Sequence, residues 1–305
     1  MEHQPILLKE VVDALAIKPE GIYVDCTFGR GGHSQAILKQ LTTGRLIVLD
    51  QDHQAIEAAY RLQKTSNQVI VVQTNFKHLK SVLKELNIQE VDGILMDLGV
   101  SSPQFDDPSR GFSYRFDAEL DMRMDQTQSL SAKEVVNSYK FENLVRIFRL
   151  YGEEAYAKQI ARKIEAYRQQ KSIETTLELV SIIKSALPSA VLSKKGHPAK
   201  QVFQALRIEV NAELEVLEST LEDAIHCLKA DGRLAVITFH SLEDRKVKQA
   251  FMAHSKVHIP AHLPLIDLPQ AAYSLLNSKA IIPNENEIEE NSRARSAKLR
   301  VLRKN

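Results

Sequence analysis

The N-terminal third of the chain alternates short runs rich in Val, Ile and Leu with stretches whose apolar residues recur at helical spacing. The runs are Ile22-Tyr23-Val24-Asp25, Arg45 to Asp50, Gln68 to Gln73 and Gly93 to Asp97, and the helical stretches are Ser34 to Leu41, Gln54 to Leu62 and Phe76 to Leu86. Strands joined by helices pair in parallel through right-handed crossovers, so the pattern predicts an α/β fold with a parallel sheet. The alternation stops at Pro103 and resumes at Arg233 to Phe239, a fifth strand after the turn Ala230-Asp231-Gly232. Between these points the spacing is helical over Ala132 to Tyr139, Glu142 to Leu150, Glu154 to Gln170, Thr176 to Leu187 and Pro198 to Leu228. The predicted organisation is a discontinuous α/β domain, 1–105 and 207–305, interrupted by an all-helical domain over 106–206. Ser255 to Ser292 reads as a loop that holds Pro260, Pro264, Pro269 and Pro283 and ends in the acidic run Glu285 to Glu290, taken as a solvated surface. Ala297 to Arg303 alternates as an edge strand with its basic residues on one side.

Composition narrows the class. A chain of 305 residues with 26% charged and 44% apolar positions is an ordinary globular protein large enough for two domains. A net charge of +1 excludes a histone-like binder, so any nucleic-acid contact must come from local clustering. Cys26 and Cys227 are too few for a disulfide framework or a four-cysteine zinc site, which points to a reducing, cytoplasmic setting. Met1 to Asp13 carries Glu2, Lys9, Glu10 and Asp13 without an apolar stretch, so neither a signal peptide nor a membrane span is expected.

The candidate chemistry begins where the first strand becomes a helix. Asp25-Cys26-Thr27-Phe28-Gly29-Arg30-Gly31-Gly32-His33 lets the backbone approach a ligand without Cβ clashes, as a nucleotide loop requires. The third glycine of a dinucleotide fingerprint would fall on Ser34, and a P-loop's Gly-Lys-Ser/Thr ending is missing. Asp50, closing the second strand, is placed to accept ribose hydroxyls, while Asp52 is read as the cap of the next helix. Phe76 after the third strand sits where a ring can lie against adenine, or simply in the core. After the fourth strand, Asp97-Leu98-Gly99-Val100-Ser101-Ser102-Pro103-Gln104-Phe105 offers acceptors for an exocyclic amine and a ring to stack its base. Ser102-Pro103-Gln104-Phe105 resembles the Asp/Asn/Ser-Pro-Pro-aromatic motif of amino methyltransferases, with Gln104 in place of the second proline.

Further segments occur in order: Arg110-Gly111-Phe112-Ser113, Leu120 to Asp125, Gln204 to Ile208, Phe239 to Arg245, and Arg293 to Ser296. Taken with the two loops, they resemble the RsmH (MraW) family of 16S rRNA cytosine-N4 methyltransferases over nearly the whole chain. The resemblance implies an S-adenosylmethionine-dependent methyltransferase domain of Rossmann-like fold, interrupted by a helical substrate-recognition domain. The implied substrate is a decoding-region cytosine of small-subunit rRNA, cytosine 1402 by family resemblance, within an assembled 30S subunit, and the implied oligomer is a homodimer. It also implies that Gly31, Gly32 and His33 contact the cofactor, Asp50 its ribose and Phe76 its adenine side, and that Asp97 and Gln104 close the pocket. Cys26 stands where relatives often have Gly.

The sulfonium cofactor carries its own leaving group, so the site has to align amine, methyl and sulfur, and no metal is required. Ser102, Pro103 and Phe105 are the candidates for holding a flipped base. His240 is read either as a contact to the base or proton shuttle, or as a packed, hydrogen-bonded histidine, with Ser241 and Asp244 as a capping box for the helix that follows. Candidate phosphate contacts are Lys158, Arg162 and Lys163 on one helix, Lys194, Lys195, His197 and Lys200 around a Gly-Pro bend, and Arg293 and Arg295 near the C-terminal strand. His254, His258 and His262 recur every fourth residue, but Pro260 breaks the helix a zinc site there would need. A nicotinamide-dependent oxidoreductase and a non-catalytic RNA-binding protein are the competing readings; the missing third glycine argues against the first.

Overall fold

A parallel strand covered on both faces has no polar side to show, and it is continuous apolar runs that become strands here. The computed structural model describes residues 5–256 and 271–305, so His258, His262 and the prolines at 260, 264 and 269 lie outside the described residues. The strands are β1 (Ile22–Asp25), β2 (Arg45–Asp50), β3 (Val69–Gln73), β4 (Val91–Asp97), β5 (Leu228–Thr238), β6 (Tyr273–Leu275) and β7 (Lys298–Lys304). They form one sheet in the order β3-β2-β1-β4-β5-β7-β6, parallel from β3 to β5 and antiparallel where β7 meets β5 and β6. The helices are α1 (Leu8–Leu15), α2 (Gly32–Leu38), α3 (His53–Gln63), α4 (Leu79–Glu85), α5 (Ser102–Asp106), α6 (Ala132–Ser138) and α7 (Phe141–Leu150), continuing with α8 (Ala157–Arg168), α9 (Thr176–Ala186), α10 (Ser189–Leu192), α11 (Lys200–Asn211), α12 (Glu213–His226), α13 (Ser241–Ser255) and α14 (Glu285–Glu290). No helix among the described residues is long and apolar enough to cross a membrane.

The chain divides into two compact units, Met1–Gly99 with Leu214–Asn305, and Val100–Glu213. In the first, strand alternation sends Leu46, Val48, Leu95, Ala235 and Ile237 to one face of the sheet, against Val11 and Leu15 of α1, Ile37 of α2 and Ala55 and Ala59 of α3. Ile47, Leu49, Ile94, Met96, Leu234 and Val236 face the other side, against Leu79 and Leu83 of α4, Leu217 and Leu221 of α12 and Val247 and Phe251 of α13. The second unit has its own core, in which Leu144, Phe148, Ile160, Ile164, Leu179, Ile183, Val202 and Leu206 interlock from α7, α8, α9 and α11.

Where the sequence expectations and the structure differ, tertiary contacts decide. The division falls at Gly99/Val100 and Glu213/Leu214 instead of near 105/106 and 206/207. Two contacts explain the later exit: Val210 of α11 is buried in the helical core, and the Asn211 side chain donates to Met122 O and accepts from Met124 N at 2.9 and 2.8 Å. The continuous helix expected over Pro198 to Leu228 is two helices, broken at Ala212, whose φ of 48° is left-handed. The turn expected before the fifth strand is a bulge inside β5: Val91 pairs with Leu228 but Gly93 pairs with Arg233, and Lys229 within the excursion reaches Asp92 Oδ2 at 2.8 Å.

β7 is not an edge strand, because β6 pairs along its outer side and Ile281 bridges Leu299. Its basic residues are used internally: Arg300 Nε and Lys298 Nζ donate to Asp244 of α13 at 2.7 and 3.0 Å. Burial opposes ionisation of Asp244, yet these two cations hold its carboxyl below the ordinary range. The expected loop Ser255 to Ser292 contains β6 and α14, and the acidic run is not all solvated, since Glu287 Oε1 accepts from Leu7 N at 2.7 Å.

Candidate active site

The sheet order reverses at β1, which has β2 on one side and β4 on the other, and α/β sheets bind ligands at the C-terminal strand ends beside such a switch point. The turn leaving β1 is shaped by its glycines. Gly29 and Gly31 have φ of 53° and 75°, and a Cβ on Gly31 would lie 2.4 Å from Phe28 Cζ. Gly32 is as confined, with Pro5 Cγ 2.1 Å from where its Cβ would stand.

Three carboxylates end strands here. Asp25 is buried, accepts from Ser34 Oγ at 2.7 Å and Thr27 N at 3.1 Å, and has its pKa raised by burial. Ser34, the residue in place of a third glycine, is therefore the tie between α2 and β1. Asp50 accepts from Gly29 N through Oδ2 and from Asp52 N through Oδ1, each at 2.9 Å. Burial lifts the Asp50 carboxyl to about 6, with the two N–H groups pulling the other way. Asp52 accepts from Gln54 N at 2.9 Å and so caps α3. Asp97 closes β4, where its N–H donates to Thr27 Oγ1 at 2.6 Å. Its carboxylate stands 3.6 Å from His33 Nε2.

The first unit also has polar atoms awaiting partners. His33 Nδ1 and Nε2 and Asp97 Oδ1 are buried without a hydrogen bond. Such atoms are uncommon in folded proteins, and a ligand, ion or water is what normally satisfies them. An adenosine with a cationic sulfonium and an amino-acid tail fits this donor set: hydroxyl groups for Asp50, positive charge for the carboxylates and a close backbone approach at Gly31 and Gly32. Phe76 is half-buried against the sheet core, in a turn capped by Asn75, which also donates to Gln51 Oε1 at 2.7 Å just beyond Asp50. Cys26 is buried, with its thiol pushed up by that burial, and is a packing residue.

His240 supplies the N-cap of α13. Its Nδ1 accepts from Glu243 N at 3.4 Å, while Glu243 Oε2 accepts from Phe239 N at 2.7 Å and His240 N at 3.2 Å. The capping box thus lies one residue before the expected Ser241 and Asp244 pair. Its Nε2 is buried and stands 3.1 Å from Glu243 Oε1. His240 is thus a capping residue at the start of α13.

In the second unit, the segment following Gly99 folds into α5, which begins at Ser102 and Pro103. Gln104 is buried and its Oε1 accepts from Ser101 N at 2.9 Å, so it braces its own turn. Phe105 is half-buried, backed by the helical core. Several of the ordered segments turn out to be internal framework. Arg110 donates to Arg123 O and Met124 O at 3.0 and 3.2 Å, Leu120, Met122 and Met124 enter the core, and Arg207 forms a bidentate pair with Glu213 at 2.8 Å. Lys158, Arg162 and Lys163 are exposed on one face of α8, Lys194, Lys195 and Lys200 are exposed around Gly196, and Arg293 and Arg295 are exposed on the turn before β7. His254 is engaged by Glu222 Oε2 at 2.9 Å and packs edge-on against His226 and Tyr273.

Thr27 and Ser34 are site residues that sequence reasoning did not single out as ties. Their only signal was a hydroxyl beside a glycine loop.

A doubly wound sheet whose order reverses at β1, with an antiparallel final pair, departs from the 3-2-1-4-5-6 dinucleotide sheet. The fold is Rossmann-like, and with the family match it makes the chain an S-adenosylmethionine-dependent methyltransferase. The chain belongs to the MraW methylase family, whose model matches residues 1–305. Among solved structures it is similar to an rRNA methylase from Streptococcus thermophilus, at 12% identity and a TM-score of 0.44, covering 100% of this chain and 98% of that one. It is similar to TrmN from Thermus thermophilus at 11% identity and a TM-score of 0.43, over 98% of this chain and 48% of that one. NSun6 from Pyrococcus horikoshii with SFG matches at 13% identity and a TM-score of 0.44, over 99% and 52% of the two chains. The family match, not these distant likenesses, carries the assignment.

Proposed function

We propose that the chain methylates the exocyclic N4 amine of a decoding-region cytosine in small-subunit 16S rRNA, acting in the cytoplasm on an assembled 30S particle. The observation that carries this reading is that β4 ends on Asp97, beside buried polar atoms awaiting a ligand, and the chain passes directly into a helical turn holding Ser102, Pro103, Gln104 and Phe105. S-adenosylmethionine, when bound, supplies a methyl group on a sulfonium leaving group. Gly31, Gly32 and His33 then line its path, Asp50 accepts the ribose hydroxyls, Phe76 flanks the adenine, and Asp97 takes the positively charged end.

The cytosine amine is a poor nucleophile because its lone pair is delocalised into the ring. Alignment and exclusion of water are what the protein must provide. A base in a stack cannot present its amine, so the cytosine is flipped out to the Ser102–Phe105 turn, with Phe105, backed by a rigid core, as its stacking partner. Gln104, buried and holding Ser101 N, fixes the shape of that turn. His240, at the start of α13, is the further candidate for a contact to the base or for shuttling its proton. The Val100–Glu213 unit serves substrate recognition, its exposed cations meeting phosphates.

Mass spectrometry of small-subunit rRNA before and after incubation with enzyme and cofactor tests the proposal, because it identifies base and position together. One added methyl on a decoding-region cytosine is expected; modification elsewhere, or none, rejects it. A thermal shift with S-adenosylmethionine but not with NAD is the expected companion result.

A further inference from the structure

Many cations on the helical unit are already engaged. Lys133 pairs with Glu174, Lys171 with Glu178, Arg146 with Glu209, Arg168 with Glu165, Arg123 with Asp121 and Arg207 with Glu213. Arg115, Lys184, Lys194 and Lys195, like Lys158, Arg162, Lys163 and Lys200, are exposed with no acidic partner among the described residues. Arg115 and Lys184 act on His197, and Lys194 and Lys195 precede it by three and two residues, in a ring stack that no part of the reaction above uses. His197 lies flat on Tyr114, ring centroids 4.2 Å apart at 13°, and Tyr114 is held edge-on by the buried Phe203 at 5.6 Å and 89°.

Burial, then the fields of Lys184 and Arg115, hold the His197 pKa below its ordinary value, so its imidazole is neutral at physiological pH. The stack is thus an uncharged aromatic face within a positive field. Both rings are half-buried and so partly exposed, and Gly196, next to His197, has φ of 112° with open space where its Cβ would be. Surface lysines alone are ordinary; unpaired cations around a pre-stacked, core-backed ring pair are the two components of a single-stranded nucleic-acid platform.

We propose that Tyr114 and His197, with Arg115, Lys184, Lys194 and Lys195, dock single-stranded RNA, one unpaired base stacking on the ring pair while flanking phosphates meet the cations. This deepens the rRNA reading and rests on it for the identity of the natural strand. Double-stranded RNA keeps its base faces covered, so it meets only the cations.

Fluorescence anisotropy with the full chain and a decoding-region RNA of about 12 nucleotides, single-stranded or annealed to its complement, tests this. His197→Ala is expected to weaken single-strand binding about 5- to 100-fold and to leave duplex binding unchanged. Lys194→Ala with Lys195→Ala, both exposed and harmless to folding, should reduce the slope of log affinity against log salt by about 1.4 for the single strand. S-adenosylmethionine affinity should not move in either variant. Unchanged single-strand affinity in His197→Ala would overturn the platform, as would polyaspartate competing as well as RNA irrespective of His197. If rRNA methylation is absent while His197-dependent binding persists, the rRNA reading fails and the platform stands. If methylation occurs and His197→Ala alters neither it nor RNA binding, the platform alone fails.

Discussion

Protonation of Asp50 should set the acid limit of cofactor binding. Burial lifts its carboxyl to about 6, and both oxygens already accept a backbone N–H, from Gly29 and Asp52. An ionised carboxylate has lone pairs left for two ribose hydroxyls, whereas the protonated form carries a hydrogen in their way. Cofactor binding therefore releases a proton. With a free-protein pKa of about 6 and a bound value returned to about 4, the association constant falls about twofold between pH 8 and 6, and about tenfold by pH 5, a loss of about 1.4 kcal/mol. Isothermal titration with S-adenosylmethionine from pH 5 to 8 measures this. Asp50→Asn should bind more weakly at pH 8 and show a flat profile, which separates Asp50 from Asp25, whose pKa burial also raises. A flat wild-type profile, or a pH dependence that survives in Asp50→Asn, would refute the reasoning. Without cofactor the sign reverses. The folded-state pKa exceeds the unfolded value, so Asp50's contribution to stability is fully present below pH about 4 and is lost as pH rises through 6; the wild type should gain stability over Asp50→Asn on acidification.

Gly31→Ala forces a side chain into φ of 75° and onto the Phe28 ring at 2.4 Å; cofactor affinity should fall by about tenfold or more, with a stability loss of about 1–3 kcal/mol by urea titration. Phe105→Ala should lower methyl transfer about tenfold or more and leave cofactor affinity within about twofold, the size expected for loss of a base-stacking partner; equal loss of both would remove Phe105 from substrate binding. Asn211→Ala deletes bonds to Met124 N, Met122 O and Arg207 O and should cost about 2–4 kcal/mol in denaturant, because buried groups are left unsatisfied. A cost under about 1 kcal/mol would mean that water or relaxation replaces them.

The strands at the centre of the sheet were legible because their signal is local. Arg45–Asp50 carries β2's whole pattern, with Leu46 and Val48 to one face and Ile47 and Leu49 to the other. The break at Ala212 was not, since apolar spacing continues through it from Leu206 to Leu217. What fixes the break is distant: Asn211 must reach Met122 while Arg207 clamps Glu213. α1 was also missed, because Leu8–Leu15 is too short for its period to stand out. At the sheet edge, Lys298 and Arg300 look like residues facing water, and only the position of Asp244 on α13 makes them internal.

The site divides in the same way. Gly29, Gly31 and Gly32 announce a close backbone approach, and Asp52 announces a cap, because each acts on its own neighbours. His240 did not announce its cap: Ser and Asp are the favoured capping residues, so Ser241 with Asp244 looked better suited, and Glu243 reaching back to Phe239 N shifts the box by one residue. The ties that give the crevice its shape join residues far apart in sequence, with Thr27 Oγ1 accepting from Asp97 N 70 positions away. Ser34 is the instructive case. As a failed third glycine it argued only against a dinucleotide; in the fold its hydroxyl donates to Asp25 at 2.7 Å and stabilises a buried carboxylate. A glycine there would leave Asp25 with a single N–H from Thr27, and burial would drive the carboxyl further toward its neutral form. The departure from the dinucleotide fingerprint is thus a side chain that ties α2 to the end of β1 and favours the ionised form of Asp25.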